Sequence, residues 1–168
     1  MHGRYFIISL TSLILFCVCC FSCNSAFDSK QETQKIDQLL NNWHLAASVA
    51  DTGFFDYLDS EAIYIGTDAT ERWTKKEFSD FAMPYFKRGK AWDFKTRERK
   101  VYLADNGQIA WFNETLDTWM GICRSSGVLK MNNKEEWKIM HYHLSCTVPN
   151  EKVKLFIQLM ENDSILKK

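Results

Sequence analysis

Two histidines and a serine occupy alternate positions in residues 137–150, the stretch of the chain best suited to chemistry. Side chains of an extended chain alternate between two faces, so the odd positions share one face. That face carries an apolar pair followed by a polar row: Trp137, Ile139, His141, His143 and Ser145. Such a face is typical of the wall of a ligand pocket. The alternative is that both histidines are half-buried strand residues whose hydrogen bonds are satisfied by neighbours or water.

Cysteine usage argues against a zinc site and against a disulfide scaffold. Four of the six cysteines fall within residues 1–23, so only Cys123 and Cys146 belong to the folded part. Beyond residue 23 no Cys-x-x-Cys or His-Glu-x-x-His spacing occurs, and the sequence predicts neither a metal site nor a cofactor site. A hairpin would place Cys123 and Cys146 on adjacent strands, which leaves a disulfide open in an exported protein.

Residues 1–23 have the layout of a secretory signal. Arg4 supplies a positive charge, residues 5–18 form an apolar run too short for a comfortable membrane span, and small residues follow. Residues 20–23 (Cys-Phe-Ser-Cys) are similar to a bacterial lipobox, in which Cys23 would carry the lipid. We therefore expect a bacterial envelope protein, lipid-anchored at Cys23 or secreted. An uncleaved N-terminal anchor is the alternative.

Charge and size exclude some classes of protein. Removal of residues 1–22 takes away Arg4 and no acidic residue, which leaves 20 basic and 21 acidic side chains. The basic residues form no run or stripe, so we expect no nucleic-acid partner. A length of 168 residues with 46% hydrophobic and 25% charged content suits one globular domain.

Three helical segments come first in the folded part. A capping box at residues 29–32 predicts the start of an amphipathic helix, with His44 beside its apolar stripe and therefore at the surface. Thr52 is suited to cap a shorter helix. A second capping box at residues 74–77 predicts the third helix, which Gly89 should end.

Extended segments follow the helices. We expect strands over residues 61–67, 92–103, 108–119 and 122–131, and over the final stretch that ends before Pro149. Residues 68–73 should form a polar loop. The basic residues of the first long strand should point outward: Lys95, Arg97 and Arg99.

This order of elements predicts an α+β fold. A strongly curved antiparallel sheet would wrap around the N-terminal helices and leave a cavity at its open end. Residues 24–30 would form a tether, residues 31–150 the domain, and residues 151–168 a C-terminal helical tail whose apolar residues recur at helical spacing.

Four stretches of the chain resemble the SnoaL-like branch of the nuclear transport factor 2-like superfamily: residues 65–73, 110–114, 124–129 and 137–145. The last stretch is also similar to the end of the calcium/calmodulin-dependent kinase association domain. The resemblance implies a conical domain, with a pocket lined by the concave face of the sheet and closed by the helices. It does not imply one function, because this superfold hosts isomerases, cyclases, dehydratases, transport factors and oligomerisation modules.

Strand pairing then predicts a polar cluster in the pocket. The turn before the last strand pairs its odd residues with even ones of its neighbour, so Arg124 joins the face of His141, His143 and Ser145. If Glu114 also points inward, the five residues converge. They could bind a carboxylate through Arg124, or use a histidine or Glu114 as a base. The alternative is a Glu114–Arg124 ion pair that only neutralises two buried charges.

Three functions fit these observations. The first is an envelope-anchored domain whose conical pocket binds a small organic molecule, an anion if Arg124 contacts it. The second is an isomerase, cyclase or hydratase. Ketosteroid isomerase-like catalysis needs a carboxylate base and an acidic hydroxyl, and no local motif assigns these roles to the residues near the expected region: Asp56, Tyr57, Tyr64 and Asp68.

The third function is a non-catalytic module that forms a homodimer. Three side chains of the outer sheet face, Trp111, Tyr142 and Leu144, would be exposed in a monomer and could supply the interface. A filled cavity with a large apolar outer patch would favour this function, whereas a polar cluster in an open cavity would favour the other two.

Overall fold

A six-stranded sheet and three α-helices make up residues 28–162, the part of the chain that the computed structural model describes. The predicted signal segment with Cys23, residues 24–27 of the predicted tether and residues 163–168 of the tail lie outside the described residues. No helix among the described residues is long and apolar enough to cross a membrane.

The elements follow one another as helices and then strands, with a last helix at the end. The helices are α1 (Ser29–Ser48), α2 (Lys75–Lys87) and α3 (Val153–Asn162), with short 3-10 helices at Thr52–Tyr57 and Asn150–Lys152. The strands are β1 (Leu58–Ile65), β2 (Arg72–Thr74), β3 (Lys95–Leu103), β4 (Ile109–Thr118), β5 (Gly121–Met131) and β6 (Trp137–Cys146).

Local capping chemistry fixes the ends of the helices. The Asp28 carboxylate accepts from the backbone N–H of Lys30 at 3.0 Å, so α1 begins one residue earlier than its predicted capping box implies. At the start of α2 the predicted capping box between Thr74 and Glu77 is present in both directions. Gly89 has a φ of +67° and ends α2, as predicted.

The sheet has the strand order β2-β1-β6-β5-β4-β3. Strands β3 to β6 form the predicted antiparallel meander, whereas β1 pairs in parallel with β6. The short edge strand β2 lies at the end of the segment predicted as a polar loop, and it pairs antiparallel with β1. The predicted α+β fold, with N-terminal helices, a curved sheet and a C-terminal helix, is confirmed.

Aromatic side chains fill the space between the sheet and the helices. The buried rings come from α1, α2, the first 3-10 helix and the inner face of the sheet: Trp43, Phe54, Phe55, Phe78, Phe86, Phe112 and Tyr142. Phe54 lies at the centre of this group, with ring centroids 5.1 Å from Trp43 and 5.4 Å from Phe86. Each ring of this size gains roughly 1.5–3 kcal/mol from burial. The inside of the cone is therefore largely a packed core.

An extra residue in β6 changes which side chains point inward. Val128 of β5 pairs with His141 and Leu129 pairs with Ile139, so Met140 has no partner and forms a β-bulge. A shift of one residue moves every later side chain to the other face. Tyr142 therefore follows Ile139 on the inner face, where strict alternation predicts His141.

Gly127 allows the bulge to pack closely. A Cβ atom at this position would lie 2.6 Å from the backbone oxygen of His141 and 2.6 Å from Cε1 of the Phe112 ring. Both distances are far inside van der Waals contact, so only glycine permits the bulged backbone and the aromatic ring to approach β5 here.

Helix α3 stands apart from the core. It contacts chiefly the 3-10 helix that precedes it, and its described side chains are all exposed. Its large apolar residues include Leu155 and Leu159, which are 57% and 62% exposed. The helix is amphipathic, as the sequence predicts for the tail, but most of its apolar face is uncovered in the monomer.

Candidate functional site

The predicted polar cluster lies on the outer face of the sheet. Arg124 pairs with Ser145 and the neighbouring Ser126 with His143, so these residues share a face as predicted. That face is the convex one, where Arg124 and His143 are exposed and His141 and Ser145 are half-buried. The prediction that they converge with Glu114 in an inner pocket is wrong for two reasons. Glu114 pairs with Ser125, which leaves Arg124 on the outer face, and the bulge in β6 turns the two histidines and the serine outward. Ligand binding by these residues stays a prediction.

Glu114 instead belongs to a buried network on the inner face. Its carboxylate accepts hydrogen bonds from Ser125 Oγ at 2.7 Å and Arg99 Nε at 2.8 Å, and lies 2.9 Å from His44 Nε2. Thr96 Oγ1 lies at 3.4 Å. An ionised carboxylate only accepts, so the proton of this His44 contact is on Nε2. Strands β3, β4 and β5 and helix α1 thus meet at one carboxylate.

Two members of this network differ from the sequence prediction. His44 was expected at the surface and is buried, and the side chain of Arg99 was expected to point outward and is only 3% exposed. Both had a signal in the sequence. His44 is four residues from Leu40 on the apolar stripe of α1, and Arg99 alternates with the inward Val101 of β3.

The network keeps the Glu114 carboxylate ionised. Burial alone raises the pKa of Glu114, but the hydrogen bond and charge of His44, together with Arg99 and Ser125, outweigh burial and lower it. Both carboxylate oxygens accept hydrogen bonds, so Glu114 is poorly placed to act as a base. A carboxylate that neutralises buried charges was the alternative interpretation. It describes Glu114 correctly, with His44 and Arg99 as partners in place of Arg124.

A pocket of about 480 Å³ opens between the C-terminal end of α2 and the β4–β5 turn. Four aromatic rings and two cationic side chains dominate its lining: Phe81, Tyr85, Trp92, Trp119, Arg88 and Lys90. Trp119 is 82% exposed, which is unusual for the largest apolar side chain. These residues come from three separate segments, so no local sequence pattern predicts the pocket.

Among the residues that the structure describes, the cations of this aromatic pocket have no acidic partner. Neither Arg88 nor Lys90 forms a salt bridge with any residue between 28 and 162. The Arg88 guanidinium carbon instead lies 4.8 Å from the ring centroid of Tyr85, a cation–π contact that holds the side chain at the mouth. Aromatic walls with unpaired cations can bind a flat organic anion, by stacking on its body and pairing with its charge.

A second pocket, of about 340 Å³, lies between α1 and β3 and has both polar and apolar side chains in its lining. His44 forms part of its wall together with Asn41, Ser48 and Thr96. The second ring nitrogen of His44, Nδ1, makes no hydrogen bond with a described residue, whereas Nε2 contacts Glu114. This arrangement resembles a base oriented by a carboxylate.

The outer face carries one of the three predicted dimer contacts. Trp111 is 45% exposed and stacks on the exposed Tyr102 of β3, with ring centroids 5.7 Å apart. Tyr142 and Leu144 are buried, so the prediction that they are exposed on this face is wrong. The bulge at Met140 is the cause in both cases.

The model of the SnoaL-like domain family matches residues 36–149. Comparison with curated proteins gives no match. Among solved structures, a nuclear transport factor 2-like protein of unknown function from Pseudomonas putida KT2440 is similar, with a TM-score of 0.62 and 16% identity. The match covers 74% of this chain and 92% of that protein.

Two further solved structures carry provisional descriptions as enzymes. A protein from Streptomyces avermitilis, provisionally described as a dehydratase from the nuclear transport factor 2-like family, has a TM-score of 0.61 and 10% identity. The match covers 73% of this chain and 100% of that protein. A protein from Parabacteroides distasonis, provisionally described as a ketosteroid isomerase, has a TM-score of 0.53 and 21% identity over 68% of this chain and 86% of its own. At these identities the likeness shows the fold alone.

Proposed function

We propose that this chain, which belongs to the SnoaL-like domain family of the nuclear transport factor 2-like superfamily, binds a small organic anion with a flat apolar body. The site is the aromatic pocket beside α2. The observation that carries the proposal is a pair of cations, Arg88 and Lys90, within a wall of four aromatic rings and without an acidic partner in the described part of the chain. Binding proteins and enzymes share this fold, so the fold does not determine the function and the residues of the pocket must.

The typical free energies of ion pairs and of aromatic stacking indicate which kind of contact supplies most of the affinity. An ion pair at an exposed site contributes about 1 kcal/mol or less, because water screens the charges. Aromatic stacking contributes about 0.5–1.5 kcal/mol per ring beyond the burial of apolar area, which adds about 25 cal/mol for each Å². The rings therefore supply most of the affinity. Arg88 and Lys90 supply the preference for an anion over a neutral ligand of the same shape.

The proposal is tested with 8-anilinonaphthalene-1-sulfonate, an aromatic anion that becomes fluorescent in apolar sites. Trp119→Ala should weaken binding roughly tenfold, since about 1.4 kcal/mol corresponds to a factor of ten. The matched control is Trp111→Ala, which removes an exposed tryptophan on the outer face and should leave affinity unchanged. Equal losses in the two variants would contradict the pocket assignment.

The charge preference has its own pair of variants. Arg88→Gln should weaken binding of the dye severalfold while leaving binding of a neutral aromatic analogue, N-phenyl-1-naphthylamine, nearly unchanged. Lys87→Gln is the control, because Lys87 has the same charge at the same end of α2 and does not line the pocket. If both variants lower the affinity for the anion equally, the effect is long-range electrostatics and the proposed anion site is wrong.

The cellular setting of the proposal is the bacterial envelope, with the domain held at the membrane by a lipid on Cys23 or secreted without one. The layout of residues 1–23 supports this setting. Cys23→Ser should move the protein from the membrane fraction to the soluble fraction and block maturation. An unchanged fractionation pattern would contradict the lipid anchor.

A second candidate function is catalysis by His44 as a base, for an isomerase, cyclase or hydratase reaction in the 340 Å³ pocket. The specific observation is the contact of His44 Nε2 with Glu114, while Nδ1 makes no hydrogen bond with any residue of 28–162. Nitrogen-15 NMR of the imidazole tests this candidate without knowledge of the substrate. A neutral ring protonated on Nε2 near pH 7 supports it, and a doubly protonated ring at that pH contradicts it, because such a ring cannot accept a proton.

A further inference from the structure

Three sulfur atoms come together where the β4–β5 turn meets the end of β6. Cys123 Sγ lies 3.9 Å from Cys146 Sγ, and Cys146 Sγ lies 3.8 Å from Met120 Sδ. We infer that Met120, Cys123 and Cys146 form a binding site for a soft monovalent metal ion of the Cu(I) class. This site is separate from the proposed anion pocket and does not depend on it.

The ligand types select the metal. Two thiolates and a thioether are soft ligands, and among biological metals such a set favours Cu(I), whereas carboxylates and carbonyl oxygens favour Mg²⁺ or Ca²⁺. Structural zinc takes four ligands in a tetrahedron. No group of three or more His, Cys, Asp or Glu side chains suited to a metal occurs between residues 28 and 162, so the tetrahedral set is missing in the described part of the chain.

The spacing of Cys146 from the other two sulfur atoms fits three-coordinate binding. With metal–sulfur bonds of about 2.3 Å, as in zinc–thiolate sites, three sulfurs placed around one ion in a plane are about 4.0 Å apart. Cys146 Sγ lies 3.8 Å from Met120 Sδ and 3.9 Å from Cys123 Sγ. Cys146 is therefore at a suitable distance from each of the other two sulfur atoms to share one ion with it.

Backbone geometry holds the three residues in place. Cys123 and Cys146 are directly paired across β5 and β6. The hydroxyl of Thr118 accepts from the backbone N–H of Met120 at 3.0 Å and donates to the carbonyl of Gly121 at 2.9 Å, which fixes the turn. Cys123 is fully buried and Cys146 is exposed, so an ion would reach the site from the Cys146 side.

The binding step balances without a redox partner. One Cu(I) ion replaces the protons of the two thiols, and both protons are released to water, while the Met120 thioether coordinates as a neutral ligand. No electron is transferred. The competing reaction of the same cysteines is a disulfide, which needs an external oxidant and gives Met120 no role. Met120 therefore distinguishes the two possibilities.

The test is an anaerobic titration of the reduced protein, purified from its host as matured, with Cu(I) in competition with bicinchoninate. We expect one Cu(I) per chain in a site that Cys146→Ser abolishes and Met120→Leu weakens about tenfold or more. Met131→Leu, at the other end of β5, is the matched control and should bind like the wild type. Cys146 is exposed, so Cys146→Ser should fold normally, as a thermal melt would verify.

X-ray absorption at the copper edge provides a second readout. We expect three sulfur neighbours at about 2.3 Å in the wild type and two in Met120→Leu, the distance being that of metal–thiolate bonds. Absence of competitive Cu(I) binding in the reduced wild type would overturn the inference. Unchanged affinity in Met120→Leu would also overturn it. So would a Cys123–Cys146 disulfide, seen as a loss of two hydrogens in the mass, that persists under reducing conditions.

Discussion

Glu114 of β4 sets the charge balance of the inner sheet face, because its carboxylate receives hydrogen bonds from β3, from β5 and from helix α1. Removal of Arg99 would leave this carboxylate buried with less compensation. We expect Arg99→Met to lower the free energy of unfolding by about 3–5 kcal/mol, the usual cost of breaking a buried pair. Arg124→Met is the control, because Arg124 is exposed on the opposite face. Urea unfolding measures both, and equal small losses would contradict the network.

A double variant distinguishes the cost of an uncompensated buried charge from the cost of lost side-chain packing. If the cost in Arg99→Met comes from an uncompensated charge, Glu114→Leu added to it should restore much of the lost stability. Two apolar side chains then occupy the space of the ion pair. A double variant that is as unstable as the sum of the single variants would indicate that side-chain shape matters more than charge.

The pH dependence of stability follows from the same carboxylate. Its pKa in the folded state lies below the ordinary value of 4.5, so the folded state binds this proton more weakly than the unfolded chain does. The contribution to stability is complete above about pH 4.5 and is lost as the pH falls through the lowered pKa. Glu114→Gln should flatten this part of the curve of unfolding free energy against pH. An unchanged curve would contradict the assignment.

Among the secondary-structure elements, the helix starts and the antiparallel meander were predicted from the sequence, whereas the β-bulge in β6 was not. Helix starts depend on caps within four residues, and the meander depends on alternation and turns, so local patterns predict them well. The bulge at Met140 depends on pairing between β5 and β6, and it reverses the faces of His141, His143 and Ser145. Gly127 was the available signal, since an interior glycine in a strand often marks a bulge.

The role of Gly127 can be tested directly. Gly127→Ala should lower the unfolding free energy by about 1–3 kcal/mol, because the new methyl group would overlap the His141 carbonyl and the Phe112 ring. Ser126→Ala is the matched control on the same strand, with its side chain exposed on the outer face. A thermal melt in which both variants behave alike would show that the β5–β6 contact relaxes easily.

Removal of helix α3 should have little effect on the stability of the core. Its described residues are exposed and contact chiefly the preceding 3-10 helix. A chain that ends at residue 149 should therefore unfold with nearly the same free energy, within about 1 kcal/mol, as surface changes usually do. A larger loss in urea would show that α3 packs on the domain in solution.

For the molecule as a whole, the outer face of the sheet is the surface through which the expected homodimer would form. Trp111 and Tyr102 form an exposed stacked pair there, and tryptophan and tyrosine are common energetic anchors of interfaces. If this face joins two copies, Trp111→Ser should convert a dimer into a monomer in analytical ultracentrifugation. Trp119→Ser, at the rim of the cone, should not. A wild type that sediments as a monomer at high concentration would rule out this dimer.

Contacts that join distant parts of the chain explain why the sequence did not identify the site. The aromatic pocket draws on α2, on Trp92 and on the β4–β5 turn, and the buried carboxylate reaches from β4 to His44 of α1. No spacing along the chain brings these residues together. The family was predictable because its motifs are local, whereas the pocket depends on how helices close over the sheet.

Native mass spectrometry of protein purified from its host tests the proposed binding function most directly. We expect the wild type to retain a small organic anion, and Trp119→Ala and Arg88→Gln to lose it. Arg124→Met should retain it, because Arg124 lies on the outer face away from the aromatic pocket. A ligand that is lost in Arg124→Met and kept in both pocket variants would place binding on the outer face and contradict the proposal.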